Sequence, residues 1–141
     1  METQLRKVLC IDDDPDILVI ARIALEAFGG LSLLTSENGR DGVREAAAWQ
    51  PDLIIMDVMM PELDGPATLK LLREQEESSA SATRIPVIFM TARAEQGQVD
   101  HYLSLGAAAV IPKPFDPMTL SKDLVAIWQR IPVDALTGSY T

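Results

Sequence analysis

Five short apolar runs punctuate the chain: "KVLCI" (7–11), "LSLLT" (31–35), "DLIIM" (52–56), "PVIFM" (86–90) and "AAAVI" (107–111). Their length and their Val, Ile and Leu content predict β-strands. Between and after them lie longer stretches with apolar residues at helical spacing, about 15–28, 39–49, 66–77, 95–105 and 117–130. Gly29-Gly30, the Gln50-Pro51 pair and Gly106 stand where helices must stop. Strands and helices in strict alternation predict repeated βαβ units, and so a parallel α/β sheet with helices on both faces. The nearly all-apolar strands fit a sheet covered on both sides.

Two segments stand outside this order. "EESSASATR" (76–84) is small and polar and reads as a loop, while "RIPVDALTGSYT" (130–141) is too short for a second domain. The expectation is one domain over residues 1–130 and a tail over 131–141, with no DNA-binding or catalytic output domain following. In the first helical stretch, Ile17, Ala21, Ala24 and Phe28 are expected to face the sheet. That leaves Val19, Ile23 and Ala27 on a second ridge, either covered by a neighbouring helix or open as a docking patch. In 95–105 the expected core stripe is Val99, Leu103 and Gly106, with His101 exposed. Trp49 and Trp128 close helices and are expected to pack.

Polar residues follow the strands in a pattern of their own. After "VLCI" come Asp12 and Asp13, after "LIIM" comes Asp57, after "VIFM" comes Thr91, and after "AAAVIP" comes Lys113. In a parallel sheet all of these are carboxyl ends and lie along one edge, where open α/β sheets bind ligands. Three carboxylates offer hard oxygen ligands suited to Mg²⁺, and without a cation their repulsion raises at least one pKa. Lys113 can reach a phosphoryl oxygen and the Thr91 hydroxyl can donate to another. A carboxylate can itself be the nucleophile, and Asp57, ending the central strand, is the candidate.

The run "IDDDPD" (11–16) then divides between two tasks. Asp14 precedes Pro15 and suits a helix N-cap, and Asp16 suits the first turn, where the helix dipole favours negative charge. Asp12 and Asp13 are left to face the cation. The alternative, in which all four only cap and solvate, leaves Asp57, Thr91 and Lys113 unrelated.

Composition narrows the function classes. The formal net charge is −9 over 141 residues, which argues against a general nucleic-acid binder and against docking on an anionic membrane. Hydrophobic residues make up 48%, enough for a packed core, yet no run approaches a membrane span. Cys10, the single cysteine, sits in an apolar strand, so it reads as a small buried hydrophobe in a reducing, cytoplasmic-type compartment.

Over about residues 5–128 the chain resembles the receiver domain of bacterial two-component response regulators, in "VLCIDDDPDIL", "PDLIIMDVMMPELDG", "IPVIFMTA" and "GAAAVIPKPF". The resemblance implies a flavodoxin-like sheet with strand order 2-1-3-4-5, the order shared by flavodoxin and a chemotaxis receiver. It implies that Asp57 accepts a phosphoryl group from a histidine kinase or a histidine phosphotransfer protein. Asp12, Asp13, Asp57 and the backbone carbonyl of Met59 would then hold Mg²⁺. Thr91 and Lys113 match the residues that respond to the phosphoryl group, and the Lys113-Pro114 bond should be cis. The implied protein is a signalling domain, not an enzyme, a monomer or weak dimer that acts on a downstream target by contact or onward phosphotransfer. One position departs from the pattern: Val110 stands where the family usually has Tyr or Phe, and valine is too small and too stiff at χ1 to turn inward as that ring does. Two other readings are weaker. Asp12-x-Asp14 also resembles the nucleophile motif of Mg²⁺-dependent haloacid-dehalogenase-type phosphatases, but Asp16 stands where that motif wants Thr or Val, and "MDVMMPELDG" is left unexplained. A receiver-shaped module that no longer takes phosphate is opposed by the full set of Asp12, Asp13, Asp57, Thr91 and Lys113.

Overall fold

The computed structural model describes residues 4–79 and 83–132; residues 133–141 of the tail predicted over 131–141, and the middle of the 76–84 loop, lie outside the described residues. Strands β1 (Lys7–Ile11), β2 (Ser32–Ser36), β3 (Leu53–Asp57), β4 (Val87–Thr91) and β5 (Ala109–Pro112) form one parallel sheet in the order β2-β1-β3-β4-β5. The helices are α1 (Pro15–Arg22), α2 (Gly39–Trp49), α3 (Gly65–Glu77), α4 (Gln96–Ser104) and α5 (Leu120–Arg130). This is the doubly wound flavodoxin-like fold expected from the alternation of elements. Several strands run one residue beyond their apolar cores, so Asp57 and Thr91 are the last residues of β3 and β4 instead of the first residues after them.

Successive side chains of a strand point to opposite faces, and the core divides accordingly. On one face Val8, Cys10, Ile55, Ile88 and Met90 pack against α1 and α5, through Leu18, Ala21, Leu25, Leu120, Leu124 and Trp128. On the other face Leu9, Ile11, Ile54, Met56 and Phe89 pack against α2, α3 and α4, through Val43, Ala46, Leu69, Leu72 and Tyr102. Local chemistry starts the helices. Asp14, Asn38 and Asp64 each accept a hydrogen bond from a backbone N–H in the first turn of α1, α2 and α3. Gln50 in the left-handed conformation ends α2, with φ 54°. Trp49 is half-buried under the Lys7 ammonium, which lies 5.0 Å from its ring, and Trp128 is buried.

Two expected helix stripes are corrected. The first helix continues past Arg22 as a π-helical turn, Ile23–Ala27, in which the Phe28 N–H donates to the Ile23 carbonyl. Five residues between donor and acceptor instead of four rotate the helix end about its axis, so Phe28, which regular α-helical spacing would align with Ala21 and Leu25, is 53% exposed. The face toward the sheet is Leu18, Ala21, Ala24 and Leu25, not a stripe through Ile17 and Phe28. Val19, Ile23 and Ala27 lie on the solvent side, uncovered by any neighbouring helix among the described residues. In α4 the buried residue is Tyr102, not Val99, Leu103 or Gly106, and its ring stands edge-on to Phe89 at 5.5 Å. Aromatic area outweighs the aliphatic spacing there. His101 is exposed, as expected.

The start of α3 is pressed against the end of β3. A Cβ on Gly65 would come within 2.8 Å of the Asp57 carbonyl oxygen and 2.9 Å of the Val58 Cα, both backbone atoms that cannot swing aside. Replacing a helical glycine by alanine ordinarily gains up to ~1 kcal/mol, whereas overpacking a rigid wall costs about 1–3 kcal/mol. Gly65→Ala is therefore expected to destabilise the fold by the difference, up to about 2 kcal/mol, read as a lower urea midpoint with an unchanged slope. An unchanged midpoint would mean that the α3 start can retreat freely from β3.

Candidate functional site

The carboxyl edge of the sheet brings five of the predicted side chains together. Asp12 follows β1 and is fully buried, while Asp13 beside it is exposed. The Asp12 Oδ1 accepts the Asp14 N–H at 2.9 Å, which folds the loop back toward α1. Asp14 itself caps α1 by accepting the Asp16 N–H at 2.9 Å and is exposed, so its carboxylate serves the helix. Asp57 ends the central strand β3 and is 5% exposed. Lys113, just past β5, spans the two buried carboxylates, its Nζ lying 2.8 Å from Asp12 Oδ2 and 3.1 Å from Asp57 Oδ1. It is anchored by its own N–H, which donates to the Thr91 carbonyl at 2.8 Å, and the Lys113-Pro114 bond is cis.

Thr91 closes the fourth side. Its Oγ1 accepts the Arg93 N–H at 2.9 Å, which leaves the hydroxyl proton to donate elsewhere. Met59 is 76% exposed at the mouth, and Met56 is fully buried in the core. Val110 is half-buried on β5, paired in register with Phe89, against whose ring Tyr102 leans. Two positions that shape this edge were not singled out in the sequence. Gly65 signals itself only by following the N-cap Asp64, and Tyr102 only by being the one aromatic in α4.

Charge is unbalanced at this edge. Burial, and then the Asp12 charge, push the Asp57 carboxyl above the usual carboxylate value, against Lys113 and the Met59 N–H, which pull it down. Burial alone would favour neutral Lys113, yet the Asp12 and Asp57 carboxylates outweigh it and hold the ammonium above its ordinary pKa. Burial also pushes the Cys10 thiol far up, so this thiol is inert. Asp12 Oδ2 meets the Lys113 ammonium at ion-pair distance without a well-directed hydrogen bond, and it is fully buried. One oxygen each from Asp12, Asp13 and Asp57 lie within 4.8 Å of one another. An orphaned buried oxygen in a compact set of hard donors fits a small divalent cation.

The family model for the response regulator receiver domain matches residues 8–125. The chain belongs to this family. The receiver is 34% identical over 121 residues to the protein PilH of Pseudomonas aeruginosa, covering 86% of this chain and 96% of that one. It is 32% identical over 130 residues to the alkaline phosphatase synthesis transcriptional regulatory protein PhoP of Bacillus subtilis, covering 92% of this chain and 51% of the relative. The receiver thus spans about half the length of the transcriptional regulators it matches. Among solved structures, the chemotaxis response regulator CheY4 of Vibrio cholerae superposes with a TM-score of 0.76 at 28% identity, over 88% of this chain and 99% of that one. Receiver domains are signalling domains that bind Mg²⁺ at an acidic cluster and interact with histidine kinases and downstream effectors. No helix among the described residues is long and apolar enough to cross a membrane. The phosphatase reading is not supported, because its second aspartate, Asp14, is occupied as a helix cap.

The unbalanced charge makes a prediction about stability. The Asp57 pKa is raised in the folded state, so its ionised form opposes folding above that pKa, and the opposition fades as pH falls through it. Asp57→Asn removes one of two buried like charges and leaves Lys113 paired with Asp12. In buffer free of divalent cations at pH 7, the variant is expected to melt at a higher temperature than the wild type, because the raised Asp57 pKa makes its ionised form unfavourable in the folded state. Thermal melts should show that gain shrinking as the pH is lowered toward 4. A lower melting temperature for the variant at neutral pH would show that the Lys113–Asp57 attraction dominates instead.

Proposed function

We propose that Asp57 is the phosphoacceptor of a Mg²⁺-dependent signalling receiver, and that Asp12, Asp13, Asp57 and the Met59 backbone carbonyl hold the cation. The observation that carries this reading is the single ammonium of Lys113 spanning two buried carboxylates that it cannot both neutralise. A Mg²⁺ ion bound there would neutralise carboxylate and phosphoryl oxygens together. An Asp57 carboxylate oxygen attacks the phosphorus of a phosphohistidine; the P–O bond forms, the P–N bond breaks, and the imidazole leaves with the electron pair. Lys113 and the Thr91 hydroxyl then each meet a phosphoryl oxygen by charge and by donated hydrogen bond. Transfer onward or hydrolysis breaks the P–O bond again and restores the Asp57 carboxylate, so the acyl phosphate is a timed signal. The partners are a histidine kinase or histidine phosphotransfer protein and a downstream target, in the cytoplasm; nucleic acid and membrane are not partners of an acidic surface such as this one.

Labelling follows from this assignment. With acetyl phosphate or a phosphorylated kinase, the wild-type chain should take up one base-labile phosphoryl group only in the presence of Mg²⁺. Asp57→Asn should reduce labelling to background, whereas Asp14→Ala should label normally and lose only about 1 kcal/mol of stability as a missing N-cap. Undiminished labelling of Asp57→Asn would place the acceptor elsewhere.

The donor has a surface to approach. Val19, at 59% exposed, Ile23 at 47% and the exposed Ala27 form a ridge along the first helix, which starts at the carboxyl edge. Such a ridge fits the helical bundle that presents the donor histidine. Because Ile23 is exposed, Ile23→Glu should fold normally, label normally with acetyl phosphate, and accept phosphate from its kinase about tenfold more slowly, as for a docking contact worth ~1.4 kcal/mol. Equal slowing with both donors would remove the docking role.

A further inference from the structure

The end of the sheet opposite the carboxylates carries a different chemistry. Residues before β4 and β5, the last turn of α5 and one position of α3 enclose an open cavity of about 300 Å³. Arg73 from α3, Arg84 ahead of β4 and Arg130 at the end of α5 line it. Among the described residues no aspartate or glutamate lines it, although the chain holds 21 acidic side chains against 12 basic ones. Three guanidinium groups line one cavity, the charge of Arg73 being met by Glu76. The remaining wall is apolar, with Pro86, Ile127, Ile131 and Pro132, and the small side chains of Ala108 and Ala109 leave its depth open.

Arg73 is set in place before any ligand arrives. Its Nη1 donates to the Ile85 carbonyl at 2.9 Å and pairs with Glu76 Oε1 at 2.7 Å, and the side chain is 16% exposed. Glu76 in turn accepts the Ile85 N–H at 2.8 Å, so this corner of the cavity is rigid. A fixed guanidinium loses little freedom on binding. Its planar donors meet two oxygens of one anionic group at once, which an ammonium does not do.

We propose that this cavity is a second ligand site, taking a small organic anion: one carboxylate, phosphate or phosphonate group on an apolar body about the size of a single ring. The arginines hold the anionic group, and Pro86, Ile127 and Ile131 cover the body. The volume lies at the lower end of small-molecule sites, which sets the size of the body. The site lies at the opposite ends of the strands from Asp57 and does not depend on phosphorylation.

The full ¹⁵N-labelled chain, in buffer without divalent cations, is titrated with phenylphosphonate, which cannot transfer a phosphoryl group. Saturable shifts are expected at the amides of Gly106, Ala108 and Ile131, with benzoate acting likewise and benzylammonium causing none. Arg130 is exposed and Arg84 half-exposed, so Arg130→Gln and Arg84→Gln should keep the cooperative melt of the wild type. Each is expected to weaken binding about tenfold, as for one lost charge-assisted contact. Asp57→Asn should bind as the wild type does. Absence of shifts on the order of 10 mM probe, or undiminished binding by both glutamine variants, overturns the site. Equal affinity for inorganic phosphate overturns the assignment of an organic body.

Discussion

Everything at the working edge depends on two buried carboxylates sharing one ammonium. Asp12 and Asp57 are both almost wholly removed from water, and Lys113 is the one cation within ion-pair distance of either among the described residues. In a medium of low effective dielectric an excess negative charge is costly, and the cost is carried by the fold until something positive relieves it. The raised Asp57 pKa is the local sign of that tension. A positive charge placed there would relieve it, and under the proposed phosphorylation of Asp57 the added group would change the number and the place of the charges that Lys113 and Thr91 meet.

The parallel sheet is what permits such a site to stay folded. Hydrogen-bonded strands on both sides of β3 and helices on both faces fix the backbone of Asp57 to within the tolerance of packed atoms. Gly65 lets the start of α3 press directly on that backbone, and the Lys113 N–H is tied to the Thr91 carbonyl. The groups are therefore preorganised, and the changes open to them are those of side chains and of the loops between strand ends and helices. Val110 matters in this context. With no ring at that place on β5, the aromatic area between α4 and the sheet is supplied by Tyr102 and Phe89 from the other side of the same contact.

The two ends of the sheet have opposite characters. At the carboxyl ends lies an acidic cluster, and at the amino ends arginines line a cavity. The first helix leaves Val19 and Ile23 exposed on its outer side, and its π-helical end leaves Phe28 exposed as well. A chain with net charge −9 that keeps three of its arginines around one cavity has distributed its charge unevenly over the surface, and the two ends suit different ligands.

The order of elements and the line of Asp12, Asp57, Thr91 and Lys113 at strand ends were legible in the sequence, because strand and helix periods are local and each polar residue directly follows an apolar run. The split of "IDDDPD" was legible for the same reason: Asp14 and Pro15 carry a helix start in their own chemistry. The inward faces of α1 and α4 were not. An inserted π-turn shifts the phase of every later residue, and the choice of Tyr102 over Val99 and Leu103 rests on Phe89, distant in the chain and adjacent only in space. Nor could the sequence show that Lys113 spans both carboxylates or that arginines from α3, from the approach to β4 and from α5 share a cavity. Those contacts join residues far apart along the chain, and only the packing of the sheet and its helices sets their distances.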